Sequence, residues 1–346
     1  MPAPSAGLPE VTVVIPTKDR RALLSRAVRS VLWQRDVTVQ LVVVDDGSTD
    51  GTADLLAGLS DERLVVLRNE RPGGVGAARN RGADSATCAY VSFLDDDDVW
   101  APDKLRAQLD ALTAMPSAQW ACTAAVSLRD DLRPFAQQVA PPPGDVLRSA
   151  LRSNPVPGGA SNALVRTDLL LDVGGFDPAF STLADWELYL RLAARAQLAV
   201  DPRPLVGYAV HSGSMVHDTK RAQREQERLR STHAALFAEH DDAVEDADWL
   251  RYLGGLALRQ GDRRQAVRLH AALARRGGSQ AVSAAALAIV GGVWPGVQAR
   301  RDRRSGRSLP AEWVTETERW LAPLRVLPDQ PGSRASRSDL PTASGE

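Results

Sequence analysis

Four consecutive carboxylates, Asp95-Asp96-Asp97-Asp98, follow the apolar run Tyr90–Leu94 and precede Val99-Trp100. Side by side they repel one another unless a positive charge sits among them. A hard divalent cation with oxygen ligands meets that need, and Mg²⁺ or Mn²⁺ held there could bridge a diphosphate. The plainer alternative is an acidic turn in solvent, although apolar residues box this run on both sides. A second acidic turn, Asp45-Asp46-Gly47-Ser48-Thr49-Asp50, closes the run Val42–Val44. Gly47 permits a tight turn, and Ser48 or Thr49 could cap the helix that follows. One of these carboxylates could accept the imide N–H of a uracil-like base; pure capping is the competing role. Pro16-Thr17-Lys18-Asp19 forms a third polar cluster behind an apolar run. Downstream, Asp185 opens a helical segment. It would need hydrogen-bond reach to a hydroxyl and a suitable pKa to act as a base, and a helix cap is its alternative. His211 on its own reads as a satisfied core histidine.

The elements that must position these residues alternate. Val11–Ile15, Gln40–Val44, Leu64–Leu67 and Ala89–Leu94 read as strands, separated by helix-length segments Arg21–Trp33, Thr49–Leu59 and Val75–Ser85. Nearly all-apolar strands in this alternation predict a parallel sheet covered on both faces. Ligands bind such sheets outside the carboxyl ends of the strands, where all three polar clusters stand. Gly74-Val75-Gly76 could open a dinucleotide fingerprint. However, Arg79 occupies the third glycine's place and the segment follows the third strand, which argues against a dehydrogenase. The small residues instead let a helix pack closely beside a nucleotide site. Further strands are expected at Trp120–Val126 and Asn162–Val165, and a helix at Asp185–Arg195.

From about Thr219 the chain turns helical and Arg/Ala-rich, with Trp249–Arg259 and Arg263–Arg275 as an antiparallel pair. The expected organisation is an α/β domain over 1–218, a helical region over 219–326 and a disordered tail over 327–346. A net charge of −1 across 346 residues gives no electrostatic case for nucleic acid as partner. A hydrophobic fraction of 44% and a charged fraction of 25% exclude a disordered or fibrous chain. Cys88 and Cys122 sit in or beside apolar runs and read as small core residues. No signal peptide is visible in Met1–Glu10. Ala281–Val297 is interrupted by Gly291, Gly292 and Pro295 and is shorter than a membrane span, so a buried helix is expected. An interfacial helix anchored by Arg300, Arg301, Arg303 and Arg304 is the alternative. Cytoplasmic residence follows, with peripheral contact at the inner face of a membrane as that alternative's consequence.

Taken in order, VTVVIPTKDR, VVVDDGSTDGT, GGVGAARNRGA and YVSFLDDDDVW resemble the family 2 glycosyltransferases of GT-A fold, over roughly Val11 to Ser214. The resemblance implies an α/β domain with a mainly parallel central sheet and inverting transfer of a sugar from a nucleotide diphosphate, UDP foremost. It implies that Pro16, Thr17, Asp19, Asp46, Arg79, Asp95 and Asp96 surround the donor, with Asp46 on the base. Asp97 would hold Mn²⁺ or Mg²⁺ as the last residue of a DXD motif, with His211 approaching the metal–diphosphate. Gly174-Gly175-Phe176-Asp177 matches the family's loop near the acceptor, so Gly175, Phe176 and Trp186 fall on the acceptor side. Ala184-Asp185-Trp186-Glu187 matches the helix start that carries the catalytic base, Asp185; Ala184 stands where a glutamate often does. The acceptor is left open among glycans, lipid-linked sugars, proteins and small molecules. The rival from another class is a non-catalytic sugar-nucleotide binder whose helical region recruits partners.

Overall fold

The computed structural model describes residues 10–210, 219–240, 249–250, 253–255, 257, 262–275 and 309–325. Its first half is β1 (Glu10–Thr17), α1 (Arg21–Leu32), β2 (Thr38–Asp45), α2 (Thr52–Ala57), β3 (Leu64–Arg68), α3 (Val75–Asp84) and β4 (Tyr90–Phe93). These four strands pair in parallel, β1 lying between β2 and β4 and β3 outside β2. The reason is visible in β1. Val13 and Ile15 pack with Leu24, Val28 and Val31 of α1 on one face, while Val14 packs with Val42, Val44 and Phe93 on the other. Both faces are dry, so the strand is continuously apolar rather than alternating.

β5 (Val99–Trp100), α4 (Lys104–Ala114), β6 (Ala118–Leu128), β7 (Pro134–Gln138), α5 (Leu147–Arg152), β8 (Leu164–Arg166), α6 (Thr167–Asp172), α7 (Ala184–Ala193) and β9 (Gln197–Ala209) complete the domain. The sheet runs β3-β2-β1-β4-β8-β6-β9-β5, with β7 beside β6. The expected α/β architecture holds. Beyond β4, antiparallel pairs join the parallel core: β8 runs against β4 and β6, and β5 runs against β9.

Register gathers the polar clusters. Thr17 is level with Asp45 and Val14 with Phe93, so the chain leaves β1, β2 and β4 at one edge. Close packing of α3 holds that edge together: a Cβ built on Gly82 would lie 2.3 Å from Cγ1 of Val14. One expected cap is corrected. α2 starts at Thr52 behind Gly51, and Asp50, rather than Ser48 or Thr49, accepts the Thr52 amide at 3.0 Å. Gly51 has φ +85°, so the chain turns too late for the earlier hydroxyls to reach the helix.

After β9, α8 (Thr219–Thr232) lays Ala222 and Leu229 into the main core, and the helix Ala311–Arg325 packs Trp320, Leu321 and Leu324 against Val99, Val126 and Leu205. The second helix of the expected pair runs Arg263–Ala274, capped by Asp262, which accepts the Gln265 amide. Residues 251, 252, 256, 258 and 259 of the expected first helix, and all of Ala281–Val297 with Arg300, Arg301, Arg303 and Arg304, lie outside the described residues. No helix among the described residues is long and apolar enough to cross a membrane.

Candidate active site

A cavity of about 380 Å³ opens at this edge, lined among others by Pro16, Thr17, Asp46, Arg79, Asp95, Asp96, Asp97 and Asp185. The four consecutive aspartates have four different surroundings. Asp95 pairs with Arg79. Asp96 accepts the Thr17 hydroxyl at 2.7 Å and lies 3.6 Å from Arg20 Nη1. Asp97 meets the same Arg20 nitrogen at 2.5 Å. Asp98 turns away into the core, accepting the Ser161 hydroxyl and, at 2.7 Å, the Ala209 amide. Thus the crowding of charge expected from sequence is real, and two arginines from β1's loop and α3 stand in it.

Their compensation is partial. Burial, then the charge of Asp97, lifts the Asp96 carboxyl to about 7. Burial pushes Asp98 well above the usual carboxylate range, helped by Asp97 and Asp95. Burial alone would lower Arg20, but Asp96 and Asp97 hold it above its ordinary value. Asp95 and Asp97 present oxygen donors to the cavity. That donor set fits Mg²⁺ or Mn²⁺, which commonly take one or two carboxylates and complete their shell with phosphate oxygens and water. The excess negative charge that Asp96 registers is what such an ion would relieve. Among the described residues no three His, Cys, Asp or Glu side chains form a closed metal cage; His211 lies outside them.

Asp46 forms the opposite wall. Its Oδ1 accepts Asn69 Nδ2 at 2.6 Å and the Gly73 amide at 2.9 Å, and its Oδ2 accepts the Gly74 amide at 2.9 Å. A carboxylate offers about four lone-pair sites, so one acceptor position remains toward the cavity. Asp19 does not line it. With φ +52°, Asp19 accepts the Thr49 amide at 2.7 Å and donates its own amide to Ser48, tying the β1 and β2 loops together. Its neighbours Lys18 and Arg20 face the cavity instead.

Asp185 stands on the far wall, near the start of α7 rather than at its cap, which is Leu183. Its Oδ2 accepts Asn154 Nδ2 at 2.8 Å and its Oδ1 the Trp186 amide at 2.8 Å. Burial raises its pKa, opposed by Arg79 and the Trp186 amide. The helix amides alone would have made it a weak base; desolvation reverses that expectation. A Cβ on Gly159, at φ +56°, would come within 2.8 Å of Asp185 Oδ2, so the carboxylate fits against bare backbone. Glu187, the neighbouring carboxylate, is 2% exposed and paired with Arg191 and His233. It has no access to the cavity.

Gly175, Phe176 and Trp186, placed on the acceptor side by sequence, do not line the cavity. Phe176 packs edge-on against Phe93 and beneath Arg79, and Asn80 clasps its backbone at 2.7 and 2.8 Å. Gly175, at φ +66°, leaves room for Asn80. Trp186 is a core residue that donates to Ala150 O. The wall there is built by Gly159, Ala160, Ser181, Thr182 and Tyr208. Sequence reading passed over Ser181 and Thr182, which carry no motif. Arg20 is likewise absent from the expected site residues, although it ends the PTKDR segment and a cation is what an acidic run requires.

Residues 12–174 match the model of the family described as glycosyl transferase family 2. This segment is a family 2 glycosyltransferase domain. Over 107 residues, 31% of this chain, the domain is 38% identical to the succinoglycan biosynthesis protein ExoO of Rhizobium meliloti (strain 1021), covering 31% of that protein. Over 102 residues, 30% of this chain, it is 33% identical to the UDP-Glc:alpha-D-GlcNAc-diphosphoundecaprenol beta-1,3-glucosyltransferase WfgD of Escherichia coli, covering 40% of it. The chain thus spans between about a third and two fifths of these relatives. The fold is shared more widely. S. aureus TarS 1–349, solved in complex with UDP-GlcNAc, superposes over 86% of this chain and 92% of its own with a TM-score of 0.53 at 15% identity. That likeness establishes the GT-A-type fold, and the family domain lies within it.

Proposed function

We propose that the chain is a metal-assisted, inverting glycosyltransferase that moves a sugar from a UDP-type donor to an acceptor hydroxyl. The observation that carries this reading is that Asp95–Asp97 and Asp185 line a single cavity of about 380 Å³, a volume within the range of small-molecule sites. Asp46 accepts the imide N–H of the base with its remaining lone pair. Arg79 and Asp95 hold the ribose side, and Thr17 keeps Asp96 oriented. Asp97 and the neighbouring carboxylates would hold Mn²⁺ or Mg²⁺, which would offer positive charge to a departing diphosphate. Asp185 takes the proton of the acceptor hydroxyl, which attacks the anomeric carbon from the face opposite the leaving group. One displacement inverts the configuration, and no glycosyl-enzyme intermediate forms. The pKa of Asp185, raised by burial, makes it a stronger proton acceptor than an ordinary carboxylate. WfgD is a glucosyltransferase from UDP-Glc to alpha-D-GlcNAc-diphosphoundecaprenol. The same chemistry here goes with cytoplasmic residence and peripheral contact with a membrane through the C-terminal region.

Release of nucleotide diphosphate from a panel of UDP-, dTDP- and GDP-sugars in Mn²⁺ tests the proposal. Turnover of a UDP-sugar is expected, abolished by EDTA and by Asp97→Ala, which also weakens UDP binding. Undiminished, EDTA-resistant turnover by Asp97→Ala would end the DXD assignment. Binding without turnover of any donor, across a range of acceptors, would turn the reading to a non-catalytic sugar-nucleotide module.

A further inference from the structure

The wall that carries Asp185 is held from outside the family 2 segment. The first amides of a helix have no partner within it, and α7 has no side-chain cap among its own residues. Glu225, in the middle of α8, meets the N-cap amide of Leu183 and the two amides before it, holding the turn that leads into α7. Its carboxylate accepts the Ser181 amide at 3.1 Å, the Ser181 hydroxyl at 2.8 Å, the Thr182 amide at 2.9 Å and the Leu183 amide at 2.9 Å. Glu225 is 7% exposed and shares its helix face with Ala222 and Leu229, both in the core. A charge in such a place is costly unless hydrogen-bonded. Four donors at the positive end of α7 satisfy it, with Arg221 at 3.8 Å as the neighbouring cation.

A second tie comes from the end of the same helix. His233 Nε2 lies 2.9 Å from Glu187 Oε1, two residues past Asp185. Glu187 in turn pairs with Arg191, which donates to the carbonyls of Val173 and Gly175. α8 therefore grips α7 on both sides of Asp185. The gripped residues Ser181 and Thr182 are themselves cavity wall.

We propose that Glu225 is a positioning residue. Through it the C-terminal helical region completes the acceptor side of the cavity, fixing the Ser181–Asp185 backbone and with it the direction of the Asp185 carboxylate. The donor side, at the ends of β1, β2 and β4, stands without it. This inference rests on the glycosyltransferase reading for its catalytic consequence but not for the clamp itself. Hydrogen–deuterium exchange and kinetics on the full chain, with Glu225→Ala and the isosteric Glu225→Gln, test both. Glutamine keeps the size but turns an NH₂ toward backbone donors.

In both variants the peptide spanning residues 181–185 should exchange roughly 10-fold faster or more, while β1 and β2 keep wild-type protection. UDP affinity in Mn²⁺ should stay within about twofold, and kcat on the donor that wild type consumes should fall ~10–100-fold with donor KM unchanged. Wild-type exchange in that peptide for both variants overturns the clamp. Wild-type turnover, or loss of UDP affinity in step with kcat, overturns the positioning role. Were wild type to consume no donor, the functional reading would fall while exchange still decided the clamp. If Glu225→Ala does not fold, Glu225→Gln carries the comparison.

Discussion

At the ends of β1, β2 and β4, each cavity-facing carboxylate meets a cation, hydroxyl or amide from a neighbouring loop of the same parallel sheet. Arg20 lies beside Asp96 and Asp97, Arg79 beside Asp95, and the Gly73-Gly74 amides beneath Asp46. Across the cavity, Asp185 has the neutral amide of Asn154 and one backbone N–H, and Arg79 acts on it without a direct pair. Its wall depends on a carboxylate forty residues further along the chain. On the sheet-edge side two arginines stand among the aspartates, although Asp96 is still lifted to about 7. On the α7 side burial raises a carboxylate whose hydrogen-bond partners are neutral, which suits the proton acceptor proposed there. The difference lies in the kind of partner the fold provides: direct cations on one side, neutral amides on the other.

Asp185→Asn probes the contrast most strongly. Asparagine keeps the size and the contact with the Trp186 amide but removes the proton acceptor. The expected loss is ~10²–10⁴ in kcat, with donor KM little changed. Steady-state kinetics within a few-fold of wild type would retire Asp185 as base, and Glu187 could not replace it, being sealed in its pair with Arg191 and His233.

On the donor side Asp46→Ala should weaken UDP binding by roughly 1–3 kcal/mol, the range for losing a buried charged acceptor, with kcat at saturating donor largely kept. Calorimetry showing unchanged UDP affinity would leave Asp46 with only the Gly73-Gly74 turn to hold. Gly82→Ala tests the packing beneath: a methyl 2.3 Å from Val14 Cγ1 must push α3 off β1. Overpacking of this kind costs about 1–3 kcal/mol, visible in denaturant midpoints, and UDP affinity should fall while exchange in the peptide spanning residues 181–185 is unaffected.

A further effect concerns pH. The Asp96 carboxyl titrates at about 7 in the fold, against about 4 in an unfolded chain. The folded state therefore binds more protons between those values, and this group's contribution is full below about 4 and lost as pH rises through 7. Metal-free protein should lose stability over that window with a slope of at most ~1.4 kcal/mol per pH unit from Asp96. Asp96→Asn should flatten the curve, and Mn²⁺ with UDP should do the same in wild type. A curve identical in the variant would show that the charge of Asp96 is compensated by other means.

The parallel half of the fold was legible because its signals are local. A strand buried on both faces must be apolar throughout, so Val11–Ile15 and Gln40–Val44 announce themselves, and parallel pairing brings the residues after them to one edge. The turn at Asp45–Asp50 and the run Asp95–Asp98 follow directly, and with them Thr17, Asp46, Arg79 and Asp97 as cavity residues. The identity of Asp185 was readable only through its resemblance to a motif. Its raised pKa, its seat against Gly159 and its contact with Asn154 join segments about thirty residues apart. Phe176 and Trp186 misled for the same reason: an aromatic beside a site motif and an aromatic in a core have the same local sequence. Glu225 lies in a helix whose residues are mostly polar, where periodicity gives a single carboxylate no distinction. What chain-local chemistry can specify, strand, turn and charge cluster, was settled by residue order. Which carboxylate is neutralised, which is desolvated and which holds another helix in place was decided by burial and by partners distant in sequence, which exist only once the chain has folded.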